Sequence, residues 1–376
     1  MAFPYQYGIE EEFFLTDCGS RRIISKAPAQ FFRDCRNVFG GGVSHELLQS
    51  QIELVSPILA SQADGRAYLH RSRLALSGLA ENHGMEILAA GTHPMASWRK
   101  QRATRKPRYQ DLMDDFQIVA QRNLLCGLHV HVGLPNGIDR IDVMNRLMCW
   151  LPLLLAISAS SPFWARQSSG LMSYRQAAYD EWPRTGIPDY FPNERSYNAF
   201  IDFFMQTGAL KTESSIWWAI RPSGRYPTLE LRIADACPEV DTVLCIAGLF
   251  RALVRHYAEN DKDGLKRNEM TRLVNEENRW RAKRYGTNAT FIDQESRRVM
   301  TVSESLDALE LLVSTSADAL DCLAAFKHAR DIVRDGGSAM QQTRLYSDRL
   351  ASGDSPQEAL IAVTDMLVKQ TKQLIA

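Results

Sequence analysis

Much that would place a chain of 376 residues at a glance is missing from this one. There is no net charge: 44 Lys and Arg stand against 44 Asp and Glu, with no long run of a single sign apparent along the chain. Proteins that bind nucleic acid by neutralising phosphates carry a basic excess, so that class is disfavoured. The seven cysteines, at 18, 35, 126, 149, 237, 245 and 322, include no C-x-x-C pair, which argues against a zinc ribbon or a disulfide frame and for reduced thiols in the cytoplasm. Residues 1–5 lack the basic region and apolar core of a secretory signal. The most apolar stretch, residues 147–159, is too short to span a bilayer and contains Pro152, so no membrane is expected. No internal repeat and no G-x-x-x-x-G-K-[ST] loop occurs, so any nucleotide has to be held by metals and scattered basic residues. A sheet-based enzyme of this length can be one unit, and a single catalytic domain over residues 1–376 is expected.

What is present is chemistry on alternating runs. Near the amino terminus Glu10, Glu11 and Glu12 interrupt an apolar, aromatic stretch that reads as a strand. Side chains alternate across a strand, so Glu10 and Glu12 share one face and Glu11 takes the other. Two carboxylates on one face repel unless a cation lies between them, and Mg²⁺ or Mn²⁺ favours such oxygen ligands. Alone, the run reads more readily as a solvated acidic strand than as a site. Glu53, set between Ile52 and Leu54 ahead of Ser56-Pro57, is an expensive charge to bury unpaired. Glu46 lies seven residues earlier, within reach of the same site through a turn or bulge, or else on an exposed loop.

Two further runs carry the same signature. In Gly127-Leu128-His129-Val130-His131-Val132-Gly133 the histidines share a face, a stronger metal or substrate signal than a lone histidine. In Thr228-Leu229-Glu230-Leu231-Arg232 the acid and the arginine share a face, as a structural salt bridge or as a ligand beside a phosphate-binding fork. His93, in the turn Gly91-Thr92-His93-Pro94, is as readily a turn residue as a functional one. Between these runs the patterns predict helices at 63–83, 142–158 with an interruption at Pro152, 194–207, 239–259 and 268–285, then two late helices at 305–335 and 356–374. The late helices, about 303–376, are scaffold with room for a homodimer contact. Residues 160–193, rich in Ser, Gly, Pro and aromatics, read as a lid or binding segment. The basic cluster Arg279, Arg281, Lys283 and Arg284 reads as exposed helix charge.

Taken together, Gly8-Ile9-Glu10-Glu11-Glu12-Phe13, the Gly91 turn, the His129 and Glu230 runs, and Asn278-Arg279-Trp280 through Arg284-Tyr285-Gly286 resemble the type 2 glutamate–cysteine ligases, also described as carboxylate–amine ligases of the YbdK type. The resemblance runs in order from residue 8 to residue 286. It implies an α+β, glutamine synthetase-like fold, a curved and largely antiparallel sheet with helices on its outer side. It implies Glu10, Glu12, Glu46, Glu53, His129 and Glu230 as ligands of Mg²⁺ or Mn²⁺, and Arg232 as the catalytic arginine that meets the transferring phosphoryl group. Arg221 and His131 would bind substrate, and no nucleotide-binding residues are assigned. The activity it implies uses ATP to activate the γ-carboxylate of glutamate as an acyl phosphate, which an amine, cysteine foremost, then attacks. The partners are thus ATP, glutamate and an amine or amino acid.

Two other readings use the same residues. A metal-dependent hydrolase built on these carboxylates and histidines would turn over without ATP, and a degenerate ATP-binding protein of the same fold would bind ATP without turnover.

Overall fold

Alternation in the acidic run becomes one long strand, paired on one side with the Glu53 strand and on the other with the His129 run, beyond which the Glu230 run follows. The computed structural model of the chain describes residues 4–260 and 268–373, so the predicted helix end at 374 lies outside the described residues. The strands of the main sheet are β1 (Tyr7–Asp17), β2 (Val43–His45), β3 (Gln51–Val55), β4 (Met85–Leu88), β5 (Leu128–Gly133), β6 (Ile220–Pro222) and β7 (Thr228–Leu231). They form a seven-stranded sheet in the order β2-β3-β1-β5-β7-β6, with β4 joined to the far end of β1, and every pairing is antiparallel.

The face opposite Glu10 is apolar. Ile9, Val130, Val132, Leu229 and Leu231 are buried in one core with Leu147, Leu249, Phe250 and Leu253 from helices Arg140–Leu147 and Val240–Glu259. Each such side chain contributes about 1.5–3 kcal/mol on burial. A second core joins Phe13, Phe14, Ile52 and Ile87 to Leu76 of helix Gln62–Glu81 and to Leu360, Val363 and Leu367 of helix Pro356–Lys372. Helices thus back the sheet, as the resemblance implies.

Glu11 takes the side that alternation gives it. Its carboxylate lies 2.6 Å from Nη2 of Arg73, which also donates to the carbonyls of Cys237 (2.8 Å), Pro238 and Thr371 (3.4 Å). A buried pair held by this many hydrogen bonds is structural. The glycines of two motifs are set by packing: a Cβ on Gly127 would lie 2.2 Å from Nη2 of Arg175, and one on Gly91 2.6 Å from Cγ of Asp235.

His93 resolves as a turn residue. It is buried, with Nδ1 accepting from the Met95 N–H (3.1 Å) and Nε2 donating to Oγ1 of Thr16 (3.0 Å). Burial lowers its pKa from 6.5 to about 3. An unfolded His93 binds a proton below about 6.5 and the folded one does not, so stability is lost as pH falls from about 6.5 to about 3. The loss approaches about 1.4 kcal/mol per pH unit. Urea midpoints measured across that window should fall less steeply in His93→Gln than in the parent chain, and equal slopes would refute this account.

Several expectations need correction. The stretch 305–335 is two helices, Val302–Ala319 and Leu323–Asp335, broken where Asp321 adopts φ 54°, and another helix, Ser338–Ala351, precedes Pro356–Lys372. Pro152 lies in the first turn of helix Leu151–Ser158, where its missing N–H costs nothing, so the break precedes it. The stretch Arg140–Ser158 is long and apolar enough to cross a membrane, yet 78 % of its apolar window is buried within the chain. Arg279 and Lys283 are not exposed helix charges: both are buried and reach Asp180, at 2.8 and 2.5 Å.

Candidate functional site

The register brings the three loaded runs into one row. Glu12 faces Glu53 and Glu53 faces Ser44; Glu10 faces His129; His131 faces Glu230 and Glu230 faces Arg221. Paired residues share a face, so all of these project from the same side of the sheet. Arg232, two residues past Glu230, joins them. Glu46 follows β2 in the hairpin to β3, close enough to Glu53 and Glu12 to feel their charge. Every residue expected at the site from sequence is therefore on or beside one face.

The two ends of the row differ electrostatically. At the β7 end Glu230 accepts from Nε (2.7 Å) and Nη2 (3.3 Å) of Arg221 and from Nη1 of Arg232. Burial alone would raise its pKa, but Arg232, Arg221 and His131 outweigh that and hold Glu230 well below the usual range. Arg221 also donates to the Ile216 carbonyl (2.6 Å), so its fork lies on Glu230 and the backbone. Glu10 lies 3.2 Å from Nδ1 of His129 and 3.3 Å from Nε2 of His131, and these bonds overcome burial to keep it ionised. Nδ1 of His131 meets Oγ1 of Thr228 at 3.2 Å.

At the β2 end the acids have no such compensation. Oε2 of Glu12 accepts from the Gly127 N–H (2.6 Å) and Oε2 of Glu53 from the Ser44 hydroxyl (2.6 Å). Burial, then the charges of Glu10 and Glu12, push Glu53 up to about 8. Burial, then Glu53 and Glu12, push Glu46 up as well. Such a group of acids must hold protons or a cation.

The donor set fits hard divalent cations. Ligand atoms of Glu10, His129 and Glu230 lie within 4.8 Å of one another, as do those of Glu12, Glu53 and His129. Burial and the nearby Arg232 keep His129 neutral. With Nδ1–H given to Glu10, its Nε2 is buried with no hydrogen-bond partner and 3.9 Å from Oε1 of Glu12, a lone pair directed into the second group. Neutral imidazole with carboxylates suits Mg²⁺ or Mn²⁺.

Sequence reading missed the residues that seat Arg232. Arg175 donates to the carbonyls of Arg232 (3.3 Å) and Ala234 (3.0 Å), and Nε2 of Gln176 to that of Ile233 (2.8 Å). Tyr179, beneath the Arg175 guanidinium at 4.9 Å, lines a cavity of about 10 Å³ with Arg232, Thr185 and Trp217. These belong to the 160–193 segment, which is packed rather than loose. The hydroxyls of Ser161 (2.6 Å) and Ser173 (2.9 Å) hold the buried Asp235, and Arg279 and Lys283 hold its Asp180. No periodicity marks such a segment; its only signal was its aromatic content. Tyr109, donating to the His45 carbonyl at 2.6 Å, was missed likewise.

Residues 6–364 match the model of glutamate–cysteine ligase family 2. A protein of Ectopseudomonas mendocina (strain ymp), provisionally named glutamate–cysteine ligase 2, is 47% identical over 366 residues, covering 97% of each chain. Among solved structures, the Francisella tularensis glutamate–cysteine ligase in complex with AMP superposes with a TM-score of 0.72 at 13% identity, over 99% of this chain and 90% of that one. A bifunctional glutathione synthetase of Pasteurella multocida gives 0.71 at 13% identity, over 98% of this chain and 52% of that one. The fold is the glutamine synthetase-like ligase fold.

Proposed function

The chain belongs to glutamate–cysteine ligase family 2, and from that premise we propose that it is an ATP-dependent ligase that joins the γ-carboxylate of glutamate to an amine, with cysteine the leading acceptor. The observation that carries this reading is the single row of Glu53, Glu12, Glu10, His129 and Glu230 ending at Arg232.

The chemistry needs positive charge where a phosphoryl group is passed between oxygens. Glu10 and Glu230 would hold one cation and Glu12, Glu46, Glu53 and His129 another; bound there, Mg²⁺ or Mn²⁺ supplies charge neutralisation for phosphate oxygens. The residues themselves do the rest. Glu230 fixes the guanidinium of Arg232, which lies beside the row to meet the phosphoryl oxygens. A cleft of about 320 Å³ lies beyond the ends of β5 and β7, lined by residues 134–138 and 223–227, and is the space we assign to the nucleotide. His131 and Arg221 border the side we assign to the amine acceptor. In the reaction a carboxylate oxygen attacks the γ-phosphorus and ADP leaves; the amine nitrogen then attacks the acyl carbon, phosphate leaves, and the nitrogen gives up a proton. No enzyme nucleophile is needed, in keeping with cysteines outside the row.

ADP release should require Mg²⁺ or Mn²⁺ together with glutamate and an amine. Screening glutamate against the common amino acids and amines checks this, and no ADP above background for any pair would sink the assignment. Turnover of phosphoesters or amides with ATP omitted would instead favour the hydrolase.

A further inference from the structure

The neutral balance of the whole chain conceals one local excess, which corrects the even distribution read from the sequence. Residues 98–108 contain Arg99, Lys100, Arg102, Arg105, Lys106 and Arg108 and no acid. All six are exposed, and among the described residues none is paired with a carboxylate. Elsewhere exposed arginines do find acids, as Arg330 does with Glu310 and Asp307, and Arg334 with Asp335.

The strip is fixed, and fixed beside the site. The Gln49 N–H donates to the Arg102 carbonyl (2.9 Å) and the Thr104 N–H to that of Leu47 (2.9 Å). The Thr104 hydroxyl donates to the carbonyl of Glu46 (2.6 Å). It therefore runs along the segment that carries Glu46, at the outer edge of the sheet. At its end Tyr109 bonds the His45 carbonyl, with Lys106 Nζ 5.8 Å from its ring. Arg36, also exposed, adds a further positive charge near His45.

Resting on the ligase reading, we propose that this strip docks an acidic peptide and delivers one of its glutamate carboxylates to the Glu46 end of the row. Six cations over eleven residues extend far beyond a free amino acid but suit a peptide bearing repeated carboxylates. Nucleic acid is the poorer fit. The aromatic rings at the two ends are already covered by the protein's own cations, Arg99 at 4.7 Å over Trp98 and Lys106 over Tyr109, which leaves no free platform for bases.

The test uses the full chain and a fluorescein-labelled oligoglutamate. Anisotropy should show binding that weakens with salt, and the triple variant Arg102→Ser, Arg105→Ser, Lys106→Ser should bind about tenfold more weakly. In ADP-release assays the same variant should raise KM for the peptide about tenfold with kcat unchanged, and leave KM for free glutamate alone. Undiminished peptide binding by the variant would overturn the proposal. So would tighter, strip-dependent binding of a single-stranded RNA of equal charge, or ADP release with free glutamate but none with the peptide. Strip-dependent peptide binding with no ADP release from either carboxylate would uphold the docking surface and reject the ligase reading.

Discussion

Glu230→Gln should lower kcat for ADP release by on the order of a thousandfold at saturating ATP and metal. The amide keeps the shape of the side chain but removes the charge that holds two arginines. Glu230 is where Arg221 and Arg232 meet, and it stands in the cation group with Glu10 and His129. A glutamine there turns an N–H toward one of the forks and leaves Arg232 free to swing from the row. Glu230 is buried, so some stability is lost too, and the comparison must be made on protein shown folded by circular dichroism and its urea midpoint. A drop of less than about tenfold would remove Glu230 from the chemistry, since one lost transition-state contact already costs more.

One residue from the acidic row, the expectation reverses. Glu11→Ala should cost about 3–5 kcal/mol of stability, because it strands the Arg73 guanidinium in a site with no water to solvate it. The carbonyls of Cys237 and Pro238 still accept from Arg73, yet they carry no countercharge. Because Glu11 faces away from the row, kcat of the folded fraction should stay within about twofold of the parent value, a change of less than about 0.5 kcal/mol in the barrier. Removing both charges, Glu11→Leu with Arg73→Met, should recover most of the loss, as replacing whole buried pairs often does. A small loss in the single variant, or a collapse of kcat, would refute the division between Glu10 and Glu12 on one side and Glu11 on the other.

That division was legible from alternation alone, because a strand's period of two admits only one partition of three consecutive residues. The same rule placed His129 with His131 and Glu230 with Arg232. It could not say which strands are neighbours. That Glu12 faces Glu53 while His131 faces Glu230 comes from pairings between residues 41 and 99 positions apart, set by packing of the opposite face. Glu46 needed the β2–β3 hairpin, whose turn has no Gly or Pro to announce it. Arg175, Gln176 and Tyr179 come from a segment whose order depends on the buried Asp235 and on Asp180, contacts invisible to local pattern. The split at residues 320–322 was missed for a related reason: Asp321 takes the left-handed conformation that a glycine would have signalled.

The bond from Arg73 to the Thr371 carbonyl joins residues 298 positions apart, and Leu360, Val363 and Leu367 of the same last helix pack in the core of Phe13 and Phe14. The amino-terminal strand that carries the acidic row thus has its backing supplied by a helix far downstream of it. During synthesis Phe13 and Phe14 stay without that cover until the downstream helix is made. Such long-range closure slows folding, so the time for which this apolar surface stays exposed is set by the arrival of helix Pro356–Lys372 rather than by the pairing of the strands.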